Sequence, residues 1–169
     1  MSEIINKVAQ SGLITLDLEE LLDKNTPRHG IDLADQLFQG LVLREKDFRA
    51  FIKEHDWSQY DSAYVHVSCS ADAIIPNWAY MLVVSKLSDI ASLVVLGGIE
   101  ELEKEVLRQK MDQINFSEYQ DAKMVIKGCS DLKTPEYAFF EISKRLLPYV
   151  SSLMYGEPCS TVPVFKKKK

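Results

Sequence analysis

The feature that most constrains the fold of this chain is a pattern it uses twice. Val65-His66-Val67-Ser68-Cys69-Ser70-Ala71-Asp72 is followed by Pro76-Asn77-Trp78-Ala79-Tyr80. Val125-Ile126-Lys127-Gly128-Cys129-Ser130-Asp131 is followed by Pro135-Glu136-Tyr137-Ala138-Phe139. Each copy is an apolar run with strand character, a Cys-Ser pair, an acid, and then proline, any residue, aromatic, alanine, aromatic. Proline is suited to the first turn of a helix, where no intrahelical donor is needed. Each copy therefore reads as a strand, a turn and a helix. The spacing from cysteine to proline is seven residues in the first copy and six in the second.

The rest of the chain has the same rhythm. Strands are expected at Leu13–Leu18, Leu37–Leu43, Ala63–Ser68, Ser92–Leu96, Ala122–Lys127 and Ser151–Tyr155. Helices are expected at Arg44–Glu54, Pro76–Leu87, Ile99–Met111 and Pro135–Leu147, the last stopping at Pro148. Residues 23–30 are polar and turn-rich and read as a loop. Short apolar runs alternating with helices of ten or more residues indicate βαβ units. The expected class is α/β, with one open, mostly parallel sheet and helices on both faces. At 169 residues the chain reads as a single domain over 1–169, since domains commonly hold roughly 100–150 residues. Residues 1–12 read as a loose lead-in and 156–169 as an irregular tail.

A net charge of −5 argues against a general nucleic-acid binder, which would carry a basic face. The terminal lysines Lys166–Lys169 read as a solvated tail. No stretch approaches the roughly 18 apolar residues of a membrane span, and no leader peptide is visible at Met1-Ser2-Glu3. Three cysteines, an odd number, suit a reducing cytoplasm better than a disulfide framework.

The third cysteine also precedes a serine, in Gly156-Glu157-Pro158-Cys159-Ser160-Thr161. Ligands of open α/β sheets bind outside the carboxyl ends of the strands. Cys69, Cys129 and Cys159 each follow an expected strand, so neighbouring parallel strands would bring the three thiols to one edge. Helix N-termini after the first two turns would favour thiolates there. Ser70, Ser130 and Ser160 are candidates to donate hydrogen bonds to sulfur. Three thiolates fall one short of a closed zinc site. Asp72, Asp131, Glu157 and His66 are candidates for the fourth ligand, with Asp72 and Glu157 preferred. His66 is the weakest, because in a strand it points away from Val67 and Cys69. Soft thiolates suit zinc or an iron–sulfur cluster, not magnesium or calcium.

Two other readings stand beside this one. The thiols could be reactive without metal, in sulfur or redox chemistry, or they could be small apolar packing groups. Gly97-Gly98 reads as a plain strand-to-helix turn, since it lacks the glycine spacing of a nucleotide loop. Trp78, Tyr80, Tyr137 and Phe139 are candidates for pocket lining, although aromatics two apart on a helix point in different directions. No hydrolase triad, zinc-protease motif or EF-hand loop is present.

The Cys69–Tyr80 stretch and the Met154–Pro163 stretch resemble a bacterial domain family of unknown function, over nearly the whole length. The resemblance implies no established activity or ligand set. It implies proximity to iron–sulfur assembly, with iron–sulfur assembly proteins as partners. A homo-oligomer remains compatible with the sequence.

Overall fold

The computed structural model describes residues 12–128 and 131–168. In chain order it contains β1 (Leu13–Asp17), β2 (Arg28–Asp32), α1 (Glu45–Glu54), β3 (Tyr64–Ser68), α2 (Asn77–Leu87), β4 (Leu93–Leu96), α3 (Ile99–Asp112), β5 (Lys123–Lys127), α4 (Pro135–Leu146), β6 (Ser152–Glu157) and β7 (Ser160–Lys166). Short 3₁₀ turns at Leu18–Leu21, Leu33–Gln36, Trp57–Tyr60 and Phe116–Tyr119 fill the connections. The class is α/β with open, mostly parallel sheets. Four of the five strand pairings are parallel, and β6–β7 is antiparallel.

Among the described residues there are two sheets, not one. β2-β3-β4 form a three-stranded sheet and β1-β5-β6-β7 a four-stranded sheet. The chain divides accordingly into two compact units, residues 23–105 and residues 1–22 with 106–169. α3 begins in the first of these and ends in the second.

In the 23–105 unit, Ile31, Val65 and Val67 supply the sheet side of the core. Phe48 and Ile52 of α1, and Ala79, Val83 and Leu87 of α2, supply the helix side. Fully burying a side chain such as Phe48 or Leu87 contributes roughly 1.5–3 kcal/mol. Both helices therefore pack on the same face of this sheet, while Glu103 of α3 reaches Arg28 of β2. The strand order explains the shared face. Order β2-β3-β4 advances in one direction, so successive right-handed crossovers fall on the same side. Glu103, only 7% exposed, is paired with Arg28 at 3.2 Å. Arg28 also donates to the Thr26 and Asp23 carbonyls. Few unpaired carboxylates tolerate such burial.

The second unit repeats this plan. Met124, Ile126 and Leu153 face Leu107 and Met111 of α3 and Ala138, Ile142 and Leu146 of α4. Asp112 accepts from Arg108 and Arg145, both at 2.6 Å, which links α3 to α4. The correspondence extends to individual hydrogen bonds at a constant spacing of 59 positions. Ser62 and Asp121 both take positive φ, 57° and 56°. Ser62 N–H donates to Ile90 O and Asp121 N–H to Tyr149 O. Ser92 N–H donates to Ala63 O and Ser151 N–H to Ala122 O. At the strand ends, Asp32 pairs in register with Ser68 and Asp17 with Lys127. The motif seen twice in the sequence is thus the visible part of a whole repeated unit.

Three local expectations are corrected. Residues 37–43 are not a strand. Phe38 and Val42 form an isolated bridge around Gln39 and Gly40, whose φ values of 53° and 70° close a turn. Residues 28–30, read as the end of a loop over 23–30, belong to β2. The tail is not irregular, because Ser160–Lys166 form β7, an edge strand that tolerates Pro163.

Candidate functional site

The carboxyl edge of the β2-β3-β4 sheet carries Asp32, Cys69 and Ser70. Asp32 caps the 3₁₀ turn after β2, accepting from Ala34 N–H at 2.9 Å. The same oxygen accepts from Ser70 N–H at 2.9 Å. The Ser70 hydroxyl, followed by these backbone donors, holds the Asp32 carboxyl below its ordinary value of 3.8. Ser70 therefore serves the carboxylate, not sulfur as its sequence position suggested. A carboxylate is the stronger acceptor, and it lies on the adjacent strand end. The Cys69 thiol is half-buried against the core and donates to Ala71 O at 3.5 Å. Tyr80 lies close to it, and burial, then the charge of Cys69, raises the phenol above 10.0. Asp72 is exposed on the following loop.

His66 behaves as strand alternation requires. Its neighbours Val65 and Val67 enter the core, and its ring lies over Gly30 on β2. A Cβ on Gly30 would fall 2.6 Å from His66 Cε1, so any larger residue here would displace the His66 ring. His66 Nδ1 is buried without a hydrogen-bond partner among the described residues. The Gly97-Gly98 turn is occupied from within. Gly98 N–H donates to Glu101 Oε2 at 2.9 Å, the position an anion would take at this helix start, and this bond holds Glu101 below 4.5.

The carboxyl edge of the four-stranded sheet carries Asp17, Lys127, Glu157 and Cys159. Asp17 Oδ1 accepts from Glu19 N–H at 3.0 Å, and Oδ2 lies 2.9 Å from Lys127 Nζ. The Lys127 hydrogen bond holds Asp17 below 3.8, and Asp17 in turn raises Lys127 above 10.5. Glu157 is near enough for its charge to raise Lys127 further. Cys159 is exposed in the turn joining β6 to β7, between Glu157 and Ser160, the exposed first residue of β7. That hairpin depends on Gly156, whose φ is 114° and whose added Cβ would meet Ser160 O at 2.6 Å. The chain leaves β5 through Gly128, packed so closely that a Cβ would fall 2.9 Å from Leu132. Cys129 and Ser130 lie outside the described residues. Asp131 is exposed just beyond them.

Cys69 and Cys159 therefore both stand at carboxyl strand ends, but of different sheets and in different units. The expectation of one shared sheet edge rested on a single sheet. Among the described residues, no three His, Cys, Asp or Glu side chains are grouped to hold a metal ion. The 59-position spacing also realigns the repeated motif. It matches Pro76 with Pro135 and sets Cys69 against Gly128, one place before Cys129. The two Cys-Ser pairs are offset by one residue, which the equal spacing of the prolines already contained.

The aromatic positions divide as their helical spacing predicts. Trp78 packs edge-on against Phe48, with centroids 5.8 Å apart, and Tyr137 packs on the second core. Tyr80 and Phe139 instead line grooves beside β4 and β6. Asp17, Asp32 and Lys127 were missed by the sequence reading, although the shared Asp-Leu at Asp17-Leu18 and Asp32-Leu33 was the available signal.

Among the described residues, no helix is long and apolar enough to cross a membrane. No curated protein and no solved structure matches the chain. The family described as "Protein of unknown function (DUF2480)" matches residues 2–167, and the chain belongs to that family.

Proposed function

We propose that the protein binds a soft metal, zinc or the iron of an iron–sulfur cluster, through cysteine thiolates at the carboxyl edge of the four-stranded sheet. The observation that carries this reading is the convergence of chain at that edge. β5 and β6 are parallel neighbours, in register through Ile126 and Tyr155. The segment leaving β5 enters Cys129 directly after Gly128, while β6 ends at Glu157 and turns through Cys159. Cys129, Cys159 and Glu157 form the core of the ligand set, with Asp131 the nearest further carboxylate in sequence. Two thiolates with carboxylate oxygen match the ligand preferences of zinc and of a cluster iron with one non-sulfur ligand. The Asp17–Lys127 pair, at the carboxyl edge of the same sheet, would supply a fixed cation near the anionic set. Cys69 is the third thiol of the chain, and its part is decided by substitution. The cellular role under this reading is metal or cluster handling, accessory to iron–sulfur assembly.

The test is anaerobic purification without a metal-binding tag, followed by iron, zinc and acid-labile sulfide per chain and the visible spectrum. About one zinc per chain, or iron with matching sulfide, supports the reading. Cys129→Ser and Cys159→Ser should each remove the bound metal. Cys69→Ser reads whether the 23–105 unit contributes a ligand. Stoichiometric metal retained in both Cys129→Ser and Cys159→Ser overturns the reading. So does a chain that takes up neither metal, with or without reconstitution.

A further inference from the structure

The amino edge of the four-stranded sheet concentrates positive charge on a chain whose net charge is −5. Lys123 of β5 pairs in register with Ser152 of β6, and Ser152 pairs with Lys166 of β7. Residues opposed in register share a face, so two lysines flank one serine across three neighbouring strands. At about 4.8 Å between strands, the two lysine Cα atoms stand roughly 10 Å apart. Lys167 N–H donates to Ser151 O at 2.9 Å, which holds the chain after β7 against the start of β6. Lys123, Ser152, Lys166, Lys167 and Lys168 line a groove of about 410 Å³.

The fold does not use these charges. Asp121 is the one carboxylate among the described lining residues, and it pairs with Lys167 at 3.2 Å. Lys123, Lys166 and Lys168 have no ion-pair partner among the described residues, and the Ser152 hydroxyl has no hydrogen-bond partner there. The acids on the segment leading into β5 are engaged elsewhere, Asp112 with Arg108 and Arg145, and Glu118 with Asn115. α3 and α4 carry Lys110, Lys144 and Arg145 in their own last turns, so their carbonyl ends do not call for the strand lysines. The repeat supplies an internal comparison. The positions 59 earlier than Lys123 and Ser152 are Tyr64 and Leu93, paired in the same way. The Tyr64 hydroxyl donates to Asp23, and Leu93 is apolar. The same backbone therefore stands without lysine or serine at these positions.

We infer that this groove binds a phosphate-bearing ligand, with Lys123 and Lys166 on either side of a phosphate seated over Ser152. Lysine binds phosphate as a point charge, and a free hydroxyl can donate to a phosphate oxygen. Ammonium groups gathered without counter-charge repel one another, and a multiply charged anion removes that repulsion. Lys168 extends the positive lining beyond the first phosphate, which suits a diphosphate or a phosphomonoester with its full charge. The groove lies within the roughly 300–1,000 Å³ common for small-molecule sites. The phosphate can belong to a soluble compound or to a lipid headgroup, since the recognising chemistry is the same. The site lies at the opposite end of β6 from Glu157 and Cys159, so it does not depend on the metal proposed there.

Isothermal titration of the full chain with sodium pyrophosphate, beside cosedimentation with phosphatidylcholine vesicles with and without phosphatidic acid, tests this. Pyrophosphate should bind with a Kd below about 1 mM. Lys123→Gln with Lys166→Gln should raise that Kd at least about tenfold. Both positions are exposed, so this variant should keep the wild-type circular dichroism and melting temperature. Lys46→Gln with Lys53→Gln removes equal charge from exposed positions on α1 and should leave the Kd within about twofold. Cosedimentation that requires phosphatidic acid and is lost in the Lys123 and Lys166 variant assigns the phosphate to a lipid headgroup. Pyrophosphate binding without cosedimentation assigns it to a soluble compound. A chain that binds neither pyrophosphate up to about 10 mM nor the phosphatidic acid vesicles overturns the inference. So does a folded Lys123 and Lys166 variant that binds as tightly as the wild type, the result expected if a metal elsewhere on the chain held the pyrophosphate. Equal weakening by the two double variants also overturns it, because net charge alone would then account for the binding.

Discussion

Asp32→Ala should destabilise the 23–105 unit by about 2 kcal/mol. Asp32 caps the turn at Leu33–Gln36 through Ala34 N–H. Removing such a cap costs about 1 kcal/mol. It also accepts from Ser70 N–H at 2.9 Å and from the Ser70 hydroxyl. A hydrogen bond to a charged acceptor contributes roughly 1.5–3 kcal/mol when buried, but Ser70 is exposed, so about 1 kcal/mol is the appropriate share. Asp32→Asn keeps an oxygen facing both N–H groups and loses only the charge, costing about 0.5 kcal/mol. Both tryptophans, Trp57 and Trp78, lie in this unit. Urea unfolding followed by tryptophan fluorescence therefore reports it directly. With a slope near 2 kcal/mol/M, Asp32→Ala should lower the midpoint by about 1 M and Asp32→Asn by about 0.25 M. A shift below about 0.3 M for the alanine variant would refute the view that Asp32 clasps the Cys69-Ser70 loop to the end of β2. Equal shifts for alanine and asparagine would refute the acceptor role.

Acid should act through the same groups. Asp17, Asp23 and Asp32 are each held below their unfolded value of 3.8, by Lys127, by Thr26 N–H and Tyr64 hydroxyl, and by Ser70 respectively. Their stabilisation is complete above the unfolded value and is lost as pH falls through the lower folded values. The urea midpoint should be flat from pH 7 to about 5 and fall below about 4, with a shallower fall in Asp32→Asn; an unchanged midpoint at pH 3 would contradict it. In a Cys129→Ser background, Cys159 should be alkylated about tenfold faster than Cys69, which is half-buried and donates to Ala71 O. Mass spectrometry of time points reads the ratio, and equal rates would count against the described exposures. Gly156→Ala should cost about 1–3 kcal/mol, because φ 114° is strained for alanine and its Cβ would meet Ser160 O. Thermal unfolding by circular dichroism measures that loss, and a neutral result would mean that the hairpin turn is built differently.

What the sequence carried was local. The apolar runs before the Cys-Ser pairs, the prolines at the helix starts and the apolar stripes of α1 and α3 are properties of a few adjacent residues. They located β3, β5 and all four helices to within about two residues, as expected of strongly periodic segments. Where local signals conflicted, tertiary packing decided. β2 is Arg-His-Gly-Ile-Asp, which reads as a loop until a histidine ring on β3 occupies the space above Gly30. β7 contains Pro163, which argues against a strand except at a sheet edge, and edge position is a fact about partners. Leu37–Leu43 has strand composition but only turn geometry, because Gln39 and Gly40 take positive φ.

The candidate site followed the same division. The alternation of strands and helices was enough to put each cysteine after a strand. Which strands share a sheet depends on pairings between residues far apart, such as β1 with β5. No short-range pattern encodes such pairings, because the hydrogen bonds that make them belong to both partners. The sequence by itself determined the α/β class, the helices and most of the strands. The tertiary structure alone decided that the strands form two sheets, that Ser70 serves Asp32, and that Asp17 and Lys127 meet beside the end of β5.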